Sequence, residues 1–366
     1  MTRPIRAEIS ASALRHNYQF AKRLAPQSQV FAVVKAGAYG HGIERVARAL
    51  HDADAFATLE LDSAATLRKI GMEQPILMLE GLFEKDEIPI YCQHRLMMAI
   101  HNDAQMEMFA QQRPTIPLNV FLKMNSGMNR LGFPTERYPA ALHKAEAMRQ
   151  KKLIGDITLM THFAGADGPE GISEPLKRFV DTAYAANGSL LPRSVANSAA
   201  TLRYPETHFQ WVRPGIMLYG ASPFADQSAA SLGLHPVMTL RSEIISVQTL
   251  ERGDKVGYGG VFTAKKRMRI GIVACGYADG YPRHAPGGNE QGTPIMVGGK
   301  RTRTVGRVSM DMLVADITEL PHVHVGAPVT LGGEGMPADE VAHAAGTVAY
   351  ELFCAVAPRV RMTDVD

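Results

Sequence analysis

From residue 29 to residue 219, short continuous apolar runs alternate with longer stretches whose apolar positions recur every three or four residues. Continuous runs suit strands buried on both faces, and the three-to-four spacing suits amphipathic helices. The runs are VFAVV (30–34), AFATL (55–59), PILML (75–79), LMMAI (96–100), LNVFLK (118–123), ITLMTHF (157–163), SVANS (194–198) and WVRPGIMLYG (211–220). Pro214 weakens the last of them as a central strand. Between them, segments such as HGIERVARALH and DSAATLRKIG carry the helical spacing. Eight βα units predict a (β/α)8 barrel of the TIM type.

After ADQSAASLG (225–233), a small-residue stretch that reads as a linker, the pattern changes. EIISVQTLERGDKVGYGGVF, MRIGIVACGYADG, RTVGRVSMDMLVADIT and APVTLGG alternate β-branched and polar residues and are punctuated by glycine. The expectation is an α/β protein of two domains, a barrel over 1–229 and an all-β domain over 230–366. No repeat other than the βα rhythm is present, which excludes solenoids and arrays.

Composition narrows the function more than the fold. A chain of 366 residues accommodates a barrel of ~250 residues and a second domain. With 46% hydrophobic and 20% charged residues, it has the make-up of a globular protein with a large core. Its 39 basic and 36 acidic residues are scattered, so no basic block marks a nucleic-acid or membrane surface, and a small-molecule ligand is favoured. Cys92, Cys275 and Cys354 lie far apart without CxxC spacing, which gives neither a disulfide framework nor a zinc site and fits a reducing cytosol. The start MTRPIRAEIS has no apolar signal region, and no apolar stretch reaches the ~18 residues of a membrane span. A cytoplasmic location is therefore expected.

Lys35 directly follows the first apolar run, at the carboxyl end of a barrel strand, the face where barrel enzymes place their chemistry. A partly desolvated lysine there loses its preference for the charged form and becomes a nucleophile toward a carbonyl carbon; a strand-end lysine pointing into water is the alternative. The residues after it, with Gly37, Gly40 and Gly42 around Tyr39 and His41, predict a tight loop that offers a hydroxyl to a phosphate. No second ligand stands at metal spacing around His162, and the HVH of His322 and His324 reads as a polar loop, so no metal site is expected.

The segment AVVKAGAYGHG resembles the lysine motif of bacterial alanine racemases, enzymes that use pyridoxal 5'-phosphate. The resemblance runs nearly end to end, through LKMNSGMNRLGF (122–133), THFAGAD (161–167), VANSAAT (195–201), VRPGIMLYG (212–220), VGYGG (256–260), GYADGYPR (276–283), VSMDM (308–312) and AYEL (349–352). Gly37 departs from the asparagine common in the family, and Ser309 from a cysteine.

The resemblance implies that Lys35 carries the cofactor and that Lys35 and Tyr258 are the two catalytic bases, Tyr258 reaching the active site of the other subunit of a homodimer. It implies that Arg213 donates to the cofactor's ring nitrogen, with His162 beside the ring and bonded to Arg213 on one side and to the catalytic tyrosine on the other. Arg130 matches a residue that bonds the phenolic oxygen, and Lys123 one that is carbamylated in some members to orient that arginine. An unmodified Lys123 would repel Arg130, so a carbamate, chloride or nearby acid is expected beside it. Tyr39, Ser198, Gly215, Ile216 and Tyr350 match the residues around the phosphate, and Asn197 adjoins them. ANSAA also suits a helix N-cap. Arg130, Tyr277 and the backbone amide of Met310, the last from the partner subunit, match substrate contacts, with Tyr277 and Tyr350 narrowing the entrance; Asp311, in the same loop as Met310, reads as a residue that organises it.

The implied reaction is interconversion of L- and D-alanine, with D-alanine supplied to cell-wall peptidoglycan. A racemase of serine or of a broader range of amino acids is the main rival, since pocket size is not legible here. A non-catalytic cofactor-binding protein resembles the barrel alone and leaves the β domain unexplained. Barrel-type decarboxylases typically place a carboxylate where this chain has Arg213, and a catalytic cysteine in a motif that Cys354 lacks.

Overall fold

The computed structural model describes residues 3–366. The apolar runs fold as the strands Gln29–Val33, Ala55–Thr58, Ile76–Met78, Leu96–Ile100, Leu118–Asn125, Ile154–Met160, Arg193–Ser194 and Trp211–Val212. Each pairs in parallel with the next, and Trp211 and Val212 of the eighth lie beside Gln29 and Val30 of the first, so the sheet closes into an eight-stranded barrel. The continuous apolar pattern is explained by burial on both faces: Val30, Phe31, Ala32, Phe56, Leu77 and Leu122 are fully buried. Burying each of the larger side chains contributes roughly 1.5–3 kcal/mol. Phe31 packs on Trp211 with ring centroids 4.3 Å apart, tying the first strand to the eighth.

The last two strands are much shorter than their apolar runs. Pro214 has no N–H for a ladder and ends the eighth after Val212. In the seventh, the chain leaves the sheet after Ser194, and Asn197 caps the helix Ser198–Arg203 by accepting the Ala200 N–H at 3.0 Å. The helix-cap reading of ANSAA is therefore the structural one, and Asn197 and Ser198 lie beyond the seventh strand rather than at its end.

Contacts divide the chain into two units. The barrel unit comprises 17–38 and 42–218; the other comprises residues up to 16, 39–41 and 219–366. The second unit is strand-rich. Its long strand Met238–Leu250 pairs antiparallel with Met268–Val273 and Pro328–Gly332, with a register shift between Ile244 and Ser246. The strand Arg6–Ile9, which the sequence pattern does not single out, pairs antiparallel with Met238–Leu250 and parallel with Arg361–Asp364. Its RAEI sequence alternates, with Ala7 and Ile9 buried. Two short helices, Ala338–Ala345 and Ala349–Ala355, complete the unit and were not expected from the alternation.

Candidate active site

Lys35 stands two residues past the first barrel strand. The chain then makes a left-handed turn: φ is 53° at Ala36, 59° at Gly37, 59° at Ala38 and 51° at Tyr39. Left-handed backbone costs roughly 1–2 kcal/mol for each residue with a Cβ, so such a turn persists only where its surroundings impose it. The Ala38 N–H donates to Val34 O at 2.9 Å, and the Gly42 N–H to Gly37 O at 2.8 Å, pinning the turn at both ends. Glycine and asparagine are the residues that tolerate this conformation best. Gly37 in place of the family's common asparagine therefore preserves the backbone.

Arg213 follows the eighth strand and is almost wholly buried. Its guanidinium donates to Ser194 Oγ at 2.6 Å and to Thr161 O at 2.7 Å. Its Nε has no protein acceptor among the described residues. Burial lowers its pKa to about 9, which leaves it cationic at neutral pH. The expected bond from His162 to Arg213 is replaced by the one from Arg213 to the carbonyl of Thr161, one residue earlier. The Thr161 hydroxyl is itself fixed to Met124 O at 2.9 Å and Ser126 Oγ at 2.7 Å. His162 lies two residues beyond the sixth strand. Burial, followed by the charges of Arg213, Lys123, Arg130 and Lys35, holds its pKa well below the usual value, so its ring is neutral.

Lys123 sits on the fifth strand and is 6% exposed. Burial and then the charges of Arg213 and Arg130 lower its pKa from 10.5 to about 8, with Glu80 opposing. No carboxylate lies within ion-pair distance of Lys123, Arg130 or Arg213 among the described residues. Lys123, Arg130 and His162 line one small recess together with Asn125 and Ser126. Cations gathered with no carboxylate in ion-pair contact call for an anionic ligand.

A second donor set lies after the seventh and eighth strands. Ser198 Oγ accepts the N–H of Gly215 at 2.8 Å and that of Met217 at 3.4 Å, which leaves its own hydrogen to donate. Ile216 opens the short helical turn Ile216–Tyr219. The Asn197 side chain is engaged in the helix cap and donates to Phe163 O at 3.3 Å, so it organises this corner. An amine, an unpartnered Arg213 Nε, two further cations and a free hydroxyl match the carbonyl, ring nitrogen, phenolic oxygen and phosphate of pyridoxal 5'-phosphate. The barrel residues fit that group.

The other expected residues belong to the strand-rich unit. Tyr258 opens a short helical turn between the paired strands Lys255–Val256 and Phe262–Thr263 and is 70% exposed. The hairpin is anchored beneath it, where Val256 and Phe262 pack with Ala264, Met268, Ile270 and Val305. A rigid base thus presents an open tyrosine. Tyr39 stacks on Tyr219 at 4.7 Å between ring centroids and lies 6.0 Å from the ring of Tyr350. Burial, then Tyr350 and Cys354, raises its hydroxyl pKa, so Tyr39 stays a neutral donor. Tyr277 and Met310 are both exposed, and their segments are joined by the backbone bonds Tyr277 N–H to Ser309 O and Ala278 N–H to Met310 O.

Sequence reasoning missed Ser194 and Thr161, which orient Arg213. The available signal was position alone: each is a polar residue at the carboxyl end of a barrel strand. Among the described residues, no helix is long and apolar enough to cross a membrane, and no group of three His, Cys, Asp or Glu is placed to hold a metal.

Residues 9–223 match the family described as alanine racemase, N-terminal domain, and residues 237–363 match alanine racemase, C-terminal domain. The chain is 54% identical over 361 residues to an alanine racemase of Nitrosospira multiformis, covering 99% of each. It is 53% identical to a catabolic alanine racemase of Klebsiella aerogenes, covering 98% of this chain and 99% of that one. The crystal structure of the biosynthetic alanine racemase from Pseudomonas aeruginosa superposes with a TM-score of 0.92 at 47% identity over the full length of both chains.

Proposed function

Because the chain belongs to the alanine racemase family, and is an isomerase of that kind, we propose that it interconverts L- and D-alanine by moving the α-proton between two bases, Lys35 and Tyr258 of the partner subunit. Bound pyridoxal 5'-phosphate supplies a conjugated electron sink for the pair left when the Cα–H bond breaks. Lys35 would hold the cofactor and, as a base, would take or return the proton on one face of Cα. Tyr258 of the partner subunit serves the opposite face, as inversion requires. Arg213 would donate from Nε to the ring nitrogen and, as a cation, leave it unprotonated, which suppresses side reactions that need a stronger sink. Arg130 would bond the phenolic oxygen, steadied by an anion at Lys123. Tyr39, Ser198, Gly215, Ile216 and Tyr350 would hold the phosphate, and Asn197 would keep the helix at that corner in place.

The observation that carries this reading is the buried Arg213, cationic and oriented by two acceptors with Nε left over, among cations that form no ion pair with a carboxylate among the described residues. Substrate contacts are assigned to Arg130, the Met310 amide and Tyr277, and a homodimer with shared sites follows from the role of Tyr258. The cellular role proposed is supply of D-alanine to cell-wall peptidoglycan, from the cytoplasm. Initial rates by chiral chromatography test the substrate: both enantiomers of alanine should turn over faster than serine, and arginine should be nearly inert. Comparable turnover of arginine would move the protein to a broad-specificity class.

A further inference from the structure

Asp279 is fully buried, and two arginines distant from each other in sequence hold its carboxylate. Arg359 Nε donates to Oδ1 at 2.7 Å; Arg3 donates to Oδ2 at 3.2 Å, where the Gly276 N–H also donates at 2.9 Å. The same arginines reach a second aspartate. Arg359 donates to Asp311 Oδ1 at 2.7 Å, and Arg3 donates to the Asp311 carbonyl at 2.9 Å. Both guanidinium groups therefore bridge the turn Tyr277–Asp279 to the segment that contains Met310.

The main chain tightens this bridge. The Tyr277 N–H donates to Ser309 O at 3.0 Å and the Ala278 N–H to Met310 O at 2.9 Å. A side chain on Gly276 would collide with the carbonyls of Ser309 and Met310, so the two segments meet as bare backbone. The Met310 N–H donates to no protein acceptor among the described residues. Asp279 and then Asp311 hold the Arg359 pKa above its usual value, so its charge is constant. Asp311 adjoins Met310, and an unneutralised carboxylate there would repel a substrate carboxylate.

We propose that Arg359, with Arg3 as the weaker clamp, is a positioning residue for substrate recognition: it fixes the Tyr277 turn and the Met310 amide and neutralises Asp311. The proposal rests on the reading of Met310 and Tyr277 as substrate contacts. Arg359 is the stronger clamp because it uses two nitrogens on two carboxylates at short range, whereas Arg3 reaches both acceptors from one nitrogen.

The test is steady-state kinetics on the holoenzyme carrying Arg359→Gln, with propionate, which is alanine without its amine, as a competitive probe. KM for both enantiomers and the inhibition constant of propionate should rise together about tenfold, while kcat stays within about threefold. Adding Asp311→Asn to that variant should bring KM partly back. Arg359→Lys, which keeps the charge but cannot span both carboxylates as a fork, should raise KM less and serves if Arg359→Gln fails to fold. Arg269→Gln controls for general loosening of the unit. Arg269 donates to the carbonyls of Leu320, Pro321 and Val323, and its loss should lower Tm without moving KM. If the Arg359 variants lose Tm with KM and the inhibition constant unmoved, while Tyr277→Ala raises KM, the positioning role is overturned and the substrate reading survives. If Tyr277→Ala also leaves KM unmoved, both fall.

Discussion

Arg213 donates to the hydroxyl of Ser194 at 2.6 Å, a bond from the end of the eighth strand to the end of the seventh that aims the guanidinium. Ser194→Ala removes that acceptor and leaves Arg213 with the Thr161 carbonyl alone. Cofactor affinity should fall about tenfold, read by fluorescence titration of the cofactor-free protein. An unchanged dissociation constant would show that this bond does not orient Arg213.

The attachment point is the most direct chemical test. The purified protein should be yellow, and borohydride should fix the cofactor covalently to Lys35, with the added mass found on the peptide containing residue 35. Label on another lysine would remove the basis of the proposed proton transfers.

Shared active sites predict complementation between two inactive variants. Lys35→Ala and Tyr258→Phe homodimers should each be severely impaired, yet a mixed dimer has one site that unites Lys35 with Tyr258 of the partner subunit. Refolding the two together in equal amounts gives about half mixed dimers with one good site of two, hence about a quarter of wild-type activity. Activity no greater than the sum of the residuals, with mixed dimers confirmed by pull-down, excludes the trans arrangement.

At Gly37, backbone handedness should govern tolerance rather than space, since no atom lies within 4 Å of where a Cβ would stand. Gly37→Asn should fold with near wild-type stability and activity, whereas Gly37→Val should lose about 1–3 kcal/mol by denaturant titration. Equal stability of the two would show that the left-handed turn is not maintained.

Lys123 gives a pH-dependent prediction. Its pKa is about 8 in the folded protein against 10.5 unfolded. Below pH 8 both states hold the proton, and the cost of burying the cation is present in full; between 8 and 10.5 the unfolded chain binds more protons, so stability rises with pH. In cofactor-free protein, without chloride or dissolved CO2, Lys123→Met should be more stable than wild type at pH 7 by at most about 3 kcal/mol. That margin should shrink toward pH 10.5. A margin independent of pH would contradict the lowered pKa.

The barrel was legible because full burial writes itself as unbroken apolar runs such as VFAVV. Strand ends were less so: SVANS looked like one strand because its apolar residues gave no hint that Asn197 would cap a helix. The strand Arg6–Ile9 escaped because four alternating residues carry little signal until their partners Met238 and Arg361 are known. Lys35 was found by its place after a run, whereas nothing in Ala36 or Ala38 signals left-handed backbone. Asp279, Arg3 and Arg359 are unremarkable along the chain, since their relation exists only after segments 80 and 276 residues apart have met.

The parallel pairing of Arg6–Ile9 with Arg361–Asp364 also orders events at the ribosome. The first of these strands emerges about 350 residues before its neighbour, and at ~5–20 residues per second the wait is tens of seconds. During that interval the barrel, drawn from one nearly continuous stretch of chain, can assemble by itself. The early strand meanwhile keeps an unpaired edge, a template for the wrong partner. Its charged residues, Arg6 and Glu8, are the kind of gatekeepers that hold such an edge in water until the last strand is made.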